Sequence, residues 1–313
     1  MTAPRELGWR RRLPEAPGWT RRVPRVRRVP RAGTPDPILV GISYGLTILS
    51  LALLVMVLNV TLVSQLQHFT AQHRLYDELR LNLAQGSTPI GQTDAQGALV
   101  EPGTPMALLK IPDLGIREVI VEGAASRQTK MGIGHRPDTP LPGQPGASVL
   151  MGRSSAYGGV FGQIDKLRPG QTFTVLTGQG QSTYKVLGVR GQGSKLPALT
   201  GDAGSLVLMT ASGPPFLPHK TVLVDAELVS KSFPRPALAF NTYKPTERPL
   251  ASDPGRMFSL SWLMELLVLF TVGGVWAWKR WGHPGTWIVF APMVGATALA
   301  CADRVSDLLP NLM

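Results

Sequence analysis

The chain has 313 residues, long enough for one domain plus further elements, and its 43% apolar content with a mean hydropathy of +0.07 does not by itself separate soluble from membrane classes. The single cysteine, Cys301, excludes an intrachain disulfide framework and reads as a small apolar packing residue. The net charge of +12 is concentrated in residues 1–37, where ten arginines stand against Glu6, Glu15 and Asp36. The prolines among them (Pro14, Pro17, Pro24, Pro30) and the apolar run that follows point the tail at anionic lipid head groups, with no nucleic-acid partner expected.

In chain order, the basic Arg/Pro-rich tail (1–37) leads into a charge-free apolar run at 38–63. At 1.5 Å per residue this run is long enough to cross the ~30 Å hydrocarbon core of a bilayer. A cleaved signal peptide is the alternative, but the apolar part is about twice a typical hydrophobic region and no small-x-small cleavage site follows. Residues 64–105 read as a helical stalk and linker. The stalk carries an apolar stripe of Leu62, Leu66, Phe69, Tyr76, Leu79 and Leu83, interrupted at Gln72 and His73, and the linker from Gly86 is rich in Gly, Pro, Thr, Gln and Ser.

From 106 to 229, seven short β-prone runs alternate with turn signals: ALLKI, IREVIVEG, ASVLMG, QTFTVLT, QSTYKVLGV, SLVLMT and TVLVDAELV. Short strands at this spacing predict a closed or partly closed β-barrel. Residues 230–257 form a Pro-rich connector whose patch Ala237–Phe240 is placed to pack back on the barrel. Apolar runs at 258–278 and 286–302 predict two further membrane helices around a basic turn, 279–285, and residues 303–313 a short tail outside the membrane. Arginines flanking the first span, with Lys279 and Arg280 in the turn, predict a multi-pass protein of the cell membrane with its N-terminus cytoplasmic and its central domain extracytoplasmic.

Within the barrel region the order of GIGHRPDTPLPG, ASVLMGRSSAYGGVFGQIDKLRPG, SLVLMTASGPPF and KTVLVDAEL resembles the sortases, cysteine transpeptidases of the Gram-positive cell surface. The resemblance implies a mainly β fold, the sortase-like β-barrel, with short helices near 126–131 and 161–167. One N-terminal and two C-terminal transmembrane helices complete the predicted architecture. In that family a cysteine after threonine attacks the peptide carbonyl, a histidine in a Gly-His loop handles the proton, and an arginine on the neighbouring strand stabilises the oxyanion. Here the resemblance places Ala211, Arg153 and Thr221 at those positions. Alanine has no nucleophilic atom, and an arginine does not exchange protons near neutral pH.

Several side chains near these positions carry alternative readings. Ser212 and Thr210 are hydroxyls that His219 or His135 would have to activate; otherwise Ser212 caps a turn, His219 is a solvated loop residue and His135 holds the loop after it. Arg153 either binds a carboxylate in the groove, with Tyr157, Phe161 and Ser212 lining it, or pairs with Asp165 or Asp202. In the second span Glu265 is matched with Arg304 as an intramembrane bridge, or contacts another membrane protein.

The resulting expectation is a membrane-anchored sortase-like protein without sortase catalysis. It would bind or present a cell-surface protein, or assist an active sortase, with a sorting-signal peptide as one possible ligand. The alternatives are a peptidase or transpeptidase with different catalytic residues, and a structural subunit of an envelope complex. No cofactor and no metal site is predicted: no ligand spacing or acidic cluster for a metal is present, and GQGQSTYK lacks the spacing of a phosphate-binding loop.

Overall fold

The computed structural model describes residues 37–94, 96–191, 193, 203–237, 239–281 and 283–313. The basic tail and Asp202 therefore lie outside the described residues. The chain divides into two compact units, Met1–Thr47 and Ile48–Met313. The helix α1 (Pro37–Leu58) begins in the first; every strand and all later helices belong to the second.

In the second unit the helix runs from α1 through a π-helical turn, Asn59–Val63, into α2 (Ser64–Gln85). Gly86 ends it in the left-handed conformation, its amide bonding back to Asn82 and Leu83, an αL stop of the kind glycine provides. Only the later part of the predicted stripe packs on the barrel. Leu75 and Leu79 are buried with Leu108, Val119 and Val121, whereas Leu62, Leu66 and Phe69 are exposed. The apparent interruption at Gln72 is in fact a docking point. Its side-chain amide donates to Met131 O (2.8 Å) and accepts from Val119 N (2.8 Å).

Eight strands close the barrel: β1 (Pro105–Ile111), β2 (Ile116–Glu122), β3 (Ile133–His135), β4 (Gly146–Met151), β5 (Thr172–Thr177), β6 (Gly180–Gly191), β7 (Gly204–Ser212) and β8 (Lys220–Leu228). Their order around the barrel is β1-β2-β3-β4-β7-β8-β6-β5, and β5 pairs with β1 to close it. The strand missed by sequence, β3, is only three residues long, follows Gly132 and has Gly134 at its centre, and is too short to show alternation. A short helix, α3 (Ser126–Met131), joins β2 to β3.

Alternation along β4, β7 and β8 sorts their side chains between two apolar clusters. Leu150, Leu206, Leu208, Val224 and Ala226 fill the barrel interior with Phe161, Phe173 and Tyr184. Val149, Met151, Val207, Met209, Ala211 and Leu223 form a separate cluster on the outer face. Gly204 to Ala211 of β7 are all buried, so this strand is covered on both faces. The outer cover comes from the C-terminal half: Leu312 joins the cluster and Leu250 packs against it.

Two long helices, α4 (Met257–Trp281) and α5 (His283–Asp307), pack against each other, and helix extends into the predicted turn 279–285 from both sides. Among the described residues three helical stretches are long and apolar enough to cross a membrane: Ser50–Gln85, Pro254–Trp278 and Pro284–Asp307. The expected Glu265–Arg304 bridge does not form. Glu265 is exposed and makes no ion pair among the described residues, while Arg304 lies 3.7 Å from Asp307 within its own helix.

Candidate functional site

The barrel brings together the three positions singled out in the sequence. Ala211 and Thr221 are direct cross-strand partners on β7 and β8. Beside them, Gly152 at the end of β4 donates its amide to Met209 O (3.0 Å), and Thr210 Oγ1 donates to Gly152 O (2.9 Å). The backbone of Arg153 is thereby fixed next to Thr210–Ala211. Position 152 has no room for a side chain, because a Cβ there would lie 2.5 Å from the ring of Phe161.

All three side chains are buried: Arg153 is 1%, Thr221 3% and Ala211 5% exposed. Arg153 is thus not a surface cation, and it does not pair with the exposed Asp165. Its Nη2 donates to Ser126 Oγ (2.8 Å) and Ser126 O (3.2 Å), and its guanidinium sits 4.9 Å from the Tyr157 ring centre. Among the described residues Nε and Nη1 have no hydrogen-bond partner. Burial pulls its pKa down to about 10, against the upward pull of Tyr157, Asp307 and Asp303, so it stays charged at neutral pH.

Of the other expected groove residues, Tyr157 lies next to Arg153, but Phe161 points into the barrel interior and is core packing. Ser212 sits half-buried at the end of β7, opposite Lys220. His219 is exposed, and its backbone amide bonds to Ser212 O (3.3 Å). Among the described residues no imidazole is within hydrogen-bond distance of Ser212 or Thr210. His135 is committed elsewhere: Nδ1 is 2.8 Å from Glu122 Oε2, and Nε2 faces Pro140 O (3.1 Å) and Thr139 Oγ1 (3.2 Å). Burial pulls the His135 pKa down, and the Glu122 carboxylate, together with the Pro140 carbonyl and Asp138, outweighs it, leaving the net shift upward.

Two features of the site had little or no signal in the sequence. The first is a cluster linking the barrel to α5. Lys130 Nζ lies 2.6 Å from Asp307 and 3.1 Å from Asp303, while Tyr157 Oη donates to Asp303 (3.1 Å). The Tyr157 ring is approached by two cations, Lys130 at 5.0 Å and Arg153 at 4.9 Å, a favourable arrangement for its negative face. A carboxylate pair near the end of an apolar helix was the only hint. The second is the segment after α5. The last residues of the expected short tail, 303–313, are buried: Asn311, Leu312 and Met313 are at most 2% exposed. Ser154 N donates to Leu312 O (2.9 Å) and Ala156 N to Met313 O (3.3 Å). Among the described residues no group of three or more metal-ligating side chains is present.

A closed eight-stranded barrel with a parallel β4–β7 pair and a polar loop leaving β4 beside the end of β7 defines the class of domain. The Sortase domain family model matches residues 109–229, nearly the whole of this barrel. The chain is 30% identical over 87 residues to sortase D of Bacillus subtilis (strain 168), an alignment covering 28% of this chain and 42% of that protein, so less than half of the relative's length is matched. Among solved structures it is similar to a sortase D5 transpeptidase of Clostridium perfringens (19% identity, 51% of this chain, 99% of that chain, TM-score 0.44). It is also similar to sortase E1 of Streptomyces coelicolor with a tripeptide in the active site (25% identity, 42% and 91%, TM-score 0.38).

Proposed function

We propose that this chain is a membrane-anchored sortase-domain protein that binds, rather than cleaves, an extended peptide from a cell-surface protein. The observation that carries this reading is the convergence of Ala211, Arg153 and Thr221 at one place in the fold. A thiol transpeptidase there would need a thiolate, a proton donor and an oxyanion-stabilising cation. The site offers a methyl group, a cation committed to Ser126 and Tyr157, and a neutral hydroxyl. Replacement chemistry at Ser212 or Thr210 lacks a base, and Thr210 Oγ1 already donates to Gly152 O.

Anchoring is supported by the three membrane-length helices. The end of α5 is bonded to the barrel through Asp303 and Asp307, and Asn59, near the C-terminal end of the predicted first span (38–63), lies 3.5 Å from Ser306. Those helix ends belong on the membrane face that carries the barrel, which agrees with a cytoplasmic basic tail and an extracytoplasmic domain.

The test uses full-length protein in lipid nanodiscs with a panel of fluorogenic sorting-signal peptides and an amine acceptor. We expect no cleavage or transfer above the uncatalysed rate. Turnover that is lost in Ser212→Ala or Thr210→Val would overturn the reading.

A further inference from the structure

The segment after α5 lies where a groove ligand would lie. Leu312 enters the apolar cluster on the outer face of β4, β7 and β8, the same cluster that contains Ala211. Its carbonyl accepts from Ser154 N (2.9 Å), one residue beyond Arg153, and the Met313 carbonyl accepts from Ala156 N (3.3 Å). These main-chain bonds resemble the addition of an extended peptide to a receptor's backbone, a mode in which main-chain contacts hold the peptide and side-chain pockets select it.

Selection falls on Asn311. Its Nδ2 donates to Ala124 O (2.9 Å) and Arg248 O (3.0 Å), its carbonyl accepts from Thr129 Oγ1 (2.6 Å), and its amide donates to Ala251 O (2.9 Å). The fit is nonetheless incomplete. Among the described residues Asn311 Oδ1 is buried without a donor, and Arg153 Nε and Nη1 are buried without acceptors. An occupant that leaves polar groups on both sides unsatisfied is held less tightly than a fully satisfied one and is open to displacement.

We propose that the outer face of β4 and β7 is a peptide-binding groove whose resident ligand is this chain's own Leu309–Met313, held in cis and displaced by a second peptide with the same apolar-Pro-Asn-apolar pattern. This rests on the peptide-binding reading above and adds the identity and the state of the ligand. The groove is self-occupied at rest, so an external peptide competes with a tethered segment at high effective concentration.

The experiment uses the full chain in nanodiscs and a fluorescein-labelled, end-capped peptide of residues 308–313, followed by anisotropy. Wild-type protein should bind weakly. The Asn311→Ala/Leu312→Ala variant, whose resident segment is loosened, should bind at least ~10-fold more tightly, the size expected when a tethered competitor is weakened. Adding Ala211→Trp, which fills the groove floor, should remove that binding. Equal affinity in wild type and loosened variant, or no binding to a loosened variant that still melts cooperatively, would overturn the proposal.

A second measurement covers a loosened variant that fails to fold. Excess unlabelled peptide on wild-type protein should accelerate hydrogen exchange within residues 309–313, and unchanged exchange at saturating peptide would equally overturn it. Chromatography of the peptide after incubation separates the two readings: cleaved peptide counts against a non-catalytic site, whereas intact peptide that never displaces the segment counts against self-occupancy alone.

Discussion

Ala211 on β7 stands directly opposite Thr221 on β8, and both side chains are buried, so the two residues meet at a dry strand junction. Restoring the thiol alone therefore should not restore chemistry. In a Cys301→Ser background, Ala211→Cys should give no thioester with a sorting-signal peptide. Its thiol should react with an aromatic disulfide reagent at least ~10-fold more slowly in the native than in the denatured protein, because a thiol buried in apolar surroundings is held back from forming the reactive thiolate. Rapid native labelling, followed by stopped-flow absorbance, would show that the cover over β7 is open in solution.

The His135–Glu122 pair predicts a pH dependence with a definite sign. The folded-state pKa of His135 is raised above its unfolded value, with Glu122 and Asp138 favouring the charged ring over the cost of burial. Its contribution is fully present below the unfolded pKa of ~6.5 and is lost as pH rises through the folded pKa. Thermal midpoints from pH 5 to pH 9 should fall across that window in wild type and flatten in His135→Gln. A pH profile identical in the two proteins would remove His135 as the cause.

Gln72 fastens the stalk to the barrel by satisfying one donor and one acceptor on separate segments, Val119 N and Met131 O. Gln72→Ala leaves both main-chain groups without their partner, at a cost of about 1–3 kcal/mol by the usual penalty for an unsatisfied buried group. A lowered melting temperature and faster proteolysis within residues 64–85 are expected. Gln72→Glu should be nearly as damaging, because a carboxylate cannot donate to Met131 O.

The contrast between Gln72 and the stripe around it shows what was legible in the sequence. Leu79 and Leu83 follow the helical period and do pack on the barrel, because burial of an amphipathic face is a local pattern. Gln72 interrupts the pattern and reads as a flaw, since its role depends on two segments more than 40 residues away. The barrel was equally local in origin: seven of its strands read as β-prone runs set off by turn signals, and only β3, three residues between Gly132 and Arg136, was too short to register. The convergence of Arg153, Ala211 and Thr221 followed from ordered motifs. That Arg153 is buried, that Glu265 and Arg304 part company, and that residues 311–313 fold onto β4 and β7 depend on how α5 meets the barrel, which no window of sequence encodes.

Glu265 remains exposed on α4, within a stretch long and apolar enough to cross a membrane. An ionisable side chain facing lipid near the bilayer centre costs about 2.5–3.5 kcal/mol on insertion scales, and less toward the interface. In the isolated protein Glu265→Leu should therefore raise the thermal midpoint in micelles. In native membranes, loss of a crosslinked species in the same variant would identify Glu265 as a contact to another membrane protein. A lowered midpoint in micelles would instead mean that the carboxylate has a partner within the chain.

Arg153 offers the sharpest separation between a structural and a binding role. Its guanidinium is buried with only Nη2 hydrogen-bonded among the described residues, and a poorly paired buried charge carries a desolvation cost of several kcal/mol that an apolar side chain of similar length avoids. Arg153→Met should accordingly melt at or above the wild-type temperature. If the cation serves a peptide carboxylate or carbonyl, the same variant, combined with the loosened Asn311→Ala/Leu312→Ala segment, should bind the end-capped peptide several-fold more weakly while remaining at least as stable. A less stable Arg153→Met protein would place the guanidinium in the fold's own support through Ser126 and Tyr157. Unchanged peptide affinity would confine it there. Arg153→Lys sharpens the comparison, because an ammonium keeps the charge but loses the planar face over Tyr157 and the fork that reaches Ser126.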